Sequence, residues 1–198
     1  MIILTAEAAD VYISLIHHPV YNKNGQKITT TVTNLDLHDI SRAARTYQVK
    51  KYYVVNRVKS QRDLVRRMRD YWTSDHGSDY NPSRHEAFQV LDIVESFEEV
   101  LKDIENEAGE RPITVTTSAQ EHEEGDSLSF ARLRSRLKED SRPYLLLFGT
   151  GWGLTEEIIS GCDFLLEPVE GPGDFNHLSV RTAAAIIMDR LLGERWWK

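Results

Sequence analysis

A single cysteine, Cys162, stands in the 198 residues, so no disulfide can close within the chain, and one thiol fits a reducing cytosol. No apolar run approaches membrane-spanning length. The opening Met1-Ile-Ile-Leu4 lacks a basic leader and is soon interrupted by Glu7 and Asp10, which does not read as a signal peptide. Zinc-type ligand spacing is absent around His17, His18 and His38, and the cysteine is remote in sequence, so no metal is expected. Positive charge is scarce: the formal net charge of −7 argues against a uniformly basic nucleic-acid binder.

The charge is unevenly spread, however. Between Ser41 and Arg69 ten Lys and Arg face one acid, Asp63, while acids collect in 86–110 and 121–126. A basic face on an acidic body can still attract phosphates. The expected order is a strand over Val11–His17, a turn at Asn22–Gly25, an extended piece over Ile28–Val32 and a helix from Asn34 or Asp36 to Tyr47. A strand at Tyr52–Asn56, a Ser60-capped helix to Trp72 and a polar loop over Thr73–Pro82 follow. The spacing of Ala87, Val90, Leu91, Val94, Phe97, Leu101 and Ile104 then predicts one long helix from Ser83 to about Glu107. Ile113–Thr117 reads as a strand, 118–126 as an acidic loop and Leu128–Lys138 as a short helix. Strands alternating with helices predict an α/β fold: a mostly parallel sheet covered on both faces, in a single domain of residues 1–198.

The chain is organised around Tyr144 to Trp197. The apolar run Tyr144–Phe148 suits a strand buried on both faces. It feeds Gly149-Thr-Gly-Trp-Gly153-Leu154, where glycines permit positive φ and close approach of a ligand. A helical turn (Thr155–Ile159) ends at Gly161. A short strand (Phe164–Glu167), a Gly/Pro/Asn loop (Pro168–His177) and an apolar helix (Leu178–Leu192) complete the unit. Two irregular loops at the carboxyl ends of adjacent parallel strands form a ligand crevice. No Lys-Ser/Thr follows the glycines, which argues against a nucleoside-triphosphate cradle, and the dinucleotide fingerprint fails because the third glycine comes too soon. A backbone-lined slot for an adenosine moiety fits better. Asp174 could serve as a base there and Asn176 could hold an acceptor, or both could belong to a helix N-terminus with Asn176 and Ser179 as caps.

Phe148–Leu154, Glu167-Pro-Val-Glu-Gly171 and Asn176-His-Leu-Ser-Val-Arg-Thr-Ala-Ala-Ala185 resemble the two loops and closing helix of the SPOUT superfamily of S-adenosylmethionine-dependent RNA methyltransferases. Asp36 to Val49 is similar to the helix on which the ribose-methylating branch carries an asparagine, an arginine six residues later and an aromatic–glycine turn. Arg42 and Tyr47 match; Asp36 and Gln48 replace the asparagine and glycine, and Gly151 replaces a loop glutamate of that branch. The resemblance implies methyl transfer from S-adenosylmethionine to a base or ribose of tRNA or rRNA, a C-terminal trefoil knot and a homodimer. It implies an RNA-facing basic surface in 1–110 and a cofactor part in 111–198. Donor contacts would come from Ser118, Phe148, Gly149, Thr150, Gly151, Pro168, Val169, Gly171, His177, Leu178 and Ser179. Arg42, Asp174 and Asn176 are the candidate catalytic residues, and His17–Pro19 would line the mouth. An RNA-binding module without catalysis and an α/β nucleotide hydrolase are the alternatives.

Overall fold

Short apolar runs separated by amphipathic helices give this chain its layers. The computed structural model describes residues 8–118, 127–173 and 175–197. Strand β1 (Val11–Ile16) is buried at every position and pairs in parallel with both β4 (Tyr52–Val55) and β7 (Tyr144–Gly149). Two-residue β2 (Val20–Tyr21) and β3 (Lys27–Ile28) form a separate antiparallel hairpin. With β5 (Leu91–Val94), β6 (Ile113–Thr117) and β8 (Phe164–Leu166), the main sheet has the order β5-β4-β1-β7-β6-β8, parallel throughout.

Alternation along β1 divides the core, because successive side chains leave opposite faces. Val11, Ile13 and Leu15 pack with Leu37, Ile40 and Ala44 of α1 (Asn34–Thr46), Leu133 and Leu137 of α6 (Phe130–Glu139), and Ala184, Ile187 and Leu191 of α8 (Val180–Leu192). Val65 and Trp72 of α2 (Lys59–Thr73) join that face. Tyr12 and Ile16 pack instead with Val100 and Ile104 of α5 (Phe97–Ala108) and Ile158 of α7 (Glu156–Ser160). Helices therefore cover both faces, as the alternating pattern predicts.

One expected element is overturned. The helix expected over 83–107 is three elements: α4 (Pro82–Phe88), β5 and α5. Val90, Leu91, Ile93 and Val94 suit a helix face and an edge strand equally, and pairing with β4 (Tyr52↔Leu91 to Val55↔Val94) selects the strand. Ser96 then starts a new helix by accepting from the Glu99 amide at 3.3 Å, while Glu99 returns a carboxylate to the Glu95 amide at 2.9 Å. The expected polar loop 73–82 likewise contains α3 (Asp75–Tyr80), capped by Ser74, before Asn81 and Pro82 open α4. Smaller shifts involve capping: Thr33 rather than Asn34 or Asp36 caps α1, and α2 begins at Lys59.

The basic stretch is heavily compensated. Among the described residues, seven of its ten cations meet acids: Arg45–Glu86, Lys50–Asp10, Lys51–Asp103, Lys59–Asp63, Arg62–Glu95, Arg66–Asp63 and Arg69–Asp92. No described helix is long and apolar enough to cross a membrane.

Candidate active site

The carboxyl ends of β1, β6 and β7 open into a cavity of about 890 Å³. Parallel strands end in irregular segments there, the usual place for a ligand crevice. Its volume lies near the top of the roughly 300–1,000 Å³ range of small-molecule sites, leaving room for more than one reactant.

The first wall is the glycine loop. At Gly149 a Cβ would come within 2.8 Å of the Leu154 amide nitrogen, so the chain can double back only without a side chain. Gly151, at φ 63°, lies against the β2–β3 hairpin; a Cβ there would meet the Tyr21 carbonyl oxygen at 2.9 Å. The hairpin also holds the loop by the Trp152 amide donating to Tyr21 O (2.9 Å) and the Tyr21 amide to Gly153 O (3.0 Å). The place held by glutamate in the ribose-methylating branch is thus closed to side chains.

The second wall comes from the 167–179 segment. Glu167 accepts from the Phe130 amide at 2.6 Å, tying the segment to the start of α6. Ser179 caps α8 by accepting from the Thr182 amide at 3.3 Å. Of the expected donor residues, Ser118, Phe148, Gly149, Thr150, Gly151, Val169, His177, Leu178 and Ser179 all line this cavity, as does Asn176. Pro168 and Gly171 belong to the same segment without lining it, and Asp174 lies outside the described residues. Apolar side chains such as Phe148, Val169, Leu178 and Ile187 beside hydroxyls, an amide and loop backbone suit an adenosine with a polar tail.

Residues 30–36 form a third wall that sequence reasoning passed over as an extended piece. Thr30, Thr31, Thr33 and Asp36 line it beside His17. Hydrogen-bond direction is fixed here. The Ile16 carbonyl can only accept, so the Thr150 hydroxyl donates to it (3.1 Å). Thr150 therefore accepts from Thr30, and Thr30 accepts from His17 Nδ1–H at 2.9 Å. The proton sits on Nδ1, leaving buried Nε2 as a bare acceptor with no hydrogen-bond partner among the described residues. Burial lowers the His17 pKa to about 4, against the opposing pull of the Asp36 carboxylate, so the ring is neutral near pH 7.

Arg42 is elsewhere. It lines a separate concavity of about 830 Å³ with Arg45, Gln48, Lys50 and Glu86, sharing no lining residue with the first. No cluster of three or more His, Cys, Asp or Glu able to hold a metal occurs among the described residues.

Comparison with known proteins agrees with this architecture. A family model described as SAM-dependent RNA methyltransferase matches residues 10–193. An uncharacterized protein of Aquifex aeolicus is 42% identical over 182 residues, covering 92% of this chain and 88% of that protein. A protein of Oleidesulfovibrio alaskensis named tRNA (guanine-N(1)-)-methyltransferase is 40% identical over 185 residues, which is 93% of this chain; the chain spans only 42% of that relative's length. The fold is also that of the SpoU methyltransferase AviRb from Streptomyces viridochromogenes, with a TM-score of 0.59 and 18% identity over 96% of this chain and 61% of that one. With a family match over nearly its whole length and a cavity at the strand ends, the chain belongs to the SAM-dependent RNA methyltransferase family.

Proposed function

We propose that this chain methylates tRNA, with the donor held between the 148–154 loop, Val169 and the 176–179 segment, and the acceptor nucleotide entering along residues 30–36. The observation that carries this reading is the convergence of those three walls on one cavity. When bound, S-adenosylmethionine supplies an electrophilic methyl group, so the protein's own task is alignment and removal of a proton from the acceptor. Main-chain edges of the glycine loop and the Ser179-capped start of α8 orient polar parts of the donor; Phe148, Leu178 and Ile187 keep water from its apolar face. The choice of tRNA draws on the name of the Oleidesulfovibrio relative, whose remaining length is a second possible source of that activity.

A homodimer agrees with the surface: Leu35 at the start of α1 and Leu178 beside α8 are exposed, and Ile186 and Leu192 are only half-buried in one chain. In such a pair Arg42 and Asp174 would act on RNA bound across the two copies. A threaded C-terminal segment agrees with the path from β8 at the sheet edge back to α8 against α1. The lone thiol agrees with a cytoplasmic setting.

The test uses the 198-residue chain alone, with isotopically labelled S-adenosylmethionine and unmodified tRNA and rRNA transcripts. Label in tRNA supports the proposal. Donor binding with no label in either RNA overturns it in favour of the non-catalytic RNA-binding module, and absence of both donor binding and transfer overturns the methyl-transfer reading.

A further inference from the structure

Asp36 is the only buried acid among the described residues, and it faces the cavity from the wall that supplies none of the expected donor contacts. An ion removed from water is costly unless it is compensated. The compensation here is incomplete. Oδ2 accepts from the Thr33 hydroxyl at 2.6 Å, whereas Oδ1 is 3.5 Å from Arg181 Nη1, long for a charge-assisted bond. Capping does not require this carboxylate: Thr33 caps α1 through the Asp36 main-chain amide at 3.2 Å, which any residue would offer. Oδ1 therefore keeps acceptor capacity on a side chain that lines the cavity. The titratable and charged groups around it are Arg181 of α8, Asp39 on the next turn of α1, His17 after β1 and Tyr52 of β4.

The geometry points to Asp36 as the group that takes the proton from the methyl acceptor, and to a ring N–H of a lactam-type nucleobase as that acceptor. This rests on the methyl-transfer reading above and deepens it. A lactam N–H is much closer to a carboxylate in acidity than a ribose hydroxyl is, so a carboxylate base suits the former. In the step, the N–H bond breaks and its proton goes to Asp36. The freed electron pair on nitrogen forms the bond to the methyl carbon, whose former bonding pair leaves with sulfur as a neutral thioether. Arg181, joined to both Asp36 and Asp39 at 3.5 Å, is a positioning residue that holds the Asp36 carboxylate against α8.

Asp36→Asn keeps the shape and removes the basicity. The expected result is a fall in single-turnover methyl transfer to unmodified tRNA and rRNA transcripts of about 10²–10⁴-fold. Calorimetric donor affinity should stay within about threefold, because the residue lies off the donor walls. Between about pH 7 and pH 9 the variant's rate should rise with hydroxide concentration as solvent takes over deprotonation, a recovery that a folding defect would not show. Wild-type rate retained by the variant, no recovery with pH, or a methyl group found on ribose in the digested product would each overturn the assignment. Absence of both donor binding and transfer in the wild type would instead remove the methyl-transfer reading on which it rests.

Discussion

Gly151 and Tyr21 are locked together: the glycine sits at φ 63° with the Tyr21 carbonyl oxygen where a Cβ would approach to 2.9 Å. Gly151→Ala should therefore combine left-handed strain of about 1–2 kcal/mol with displacement of the β2–β3 hairpin, and donor affinity should fall with stability. Gly25, at φ 71° with nothing within 4 Å, is the control: its alanine variant should show the strain alone and bind donor normally. Urea unfolding and calorimetry on both variants separate the two effects.

His17 makes stability depend on pH. Its folded pKa is about 4 against 6.5 for the free side chain. Between those values the unfolded chain binds more protons than the folded one, so stability rises with pH across this window and is lost on acidification. The contribution is up to about 3 kcal/mol, complete above the unfolded value. Unfolding free energies measured at a series of pH values should show this slope in the wild type and lose it in His17→Gln. Parallel curves for the two proteins would contradict it.

Gln48, just beyond α1, holds φ 56°, a conformation that favours glycine. Gln48→Gly should raise stability by about 0.5–1 kcal/mol, the relief of strain exceeding the added entropy of the unfolded chain. The midpoint of denaturant unfolding checks this, with donor affinity unchanged.

Ser96→Ala should cost about 1 kcal/mol through loss of the α5 cap, again without effect on donor binding. Within an uninterrupted helix over 83–107 the same change would be neutral or stabilising, so the sign of the effect distinguishes the two structures.

The buried parallel strands were legible because Tyr144–Phe148 and Tyr52–Val55 are continuous apolar runs, and the two loops that wall the cavity were legible from their glycines and prolines. The break at 89–96 was not, since Val90, Leu91 and Val94 fit both periods and only pairing with β4 decides. The Ser96–Glu99 cap was the local signal that could have revealed it. The third wall was hidden for a different reason: Thr30 and Asp36 acquire their setting from Thr150 and Arg181, more than a hundred residues away in sequence. Basic content likewise overstated the free positive surface, because the acids neutralising it come from distant segments such as Asp92 and Glu95.

Calorimetric titration of the wild-type chain and Val169→Trp with S-adenosylmethionine tests the cavity assignment most directly. Val169 is a half-buried loop residue lining the cavity, and an indole there fills the slot. The wild type should bind one equivalent and a folded variant at least about a hundredfold more weakly, a difference of about 2.8 kcal/mol. No binding by the wild type, or equal affinity in the two proteins, would contradict it.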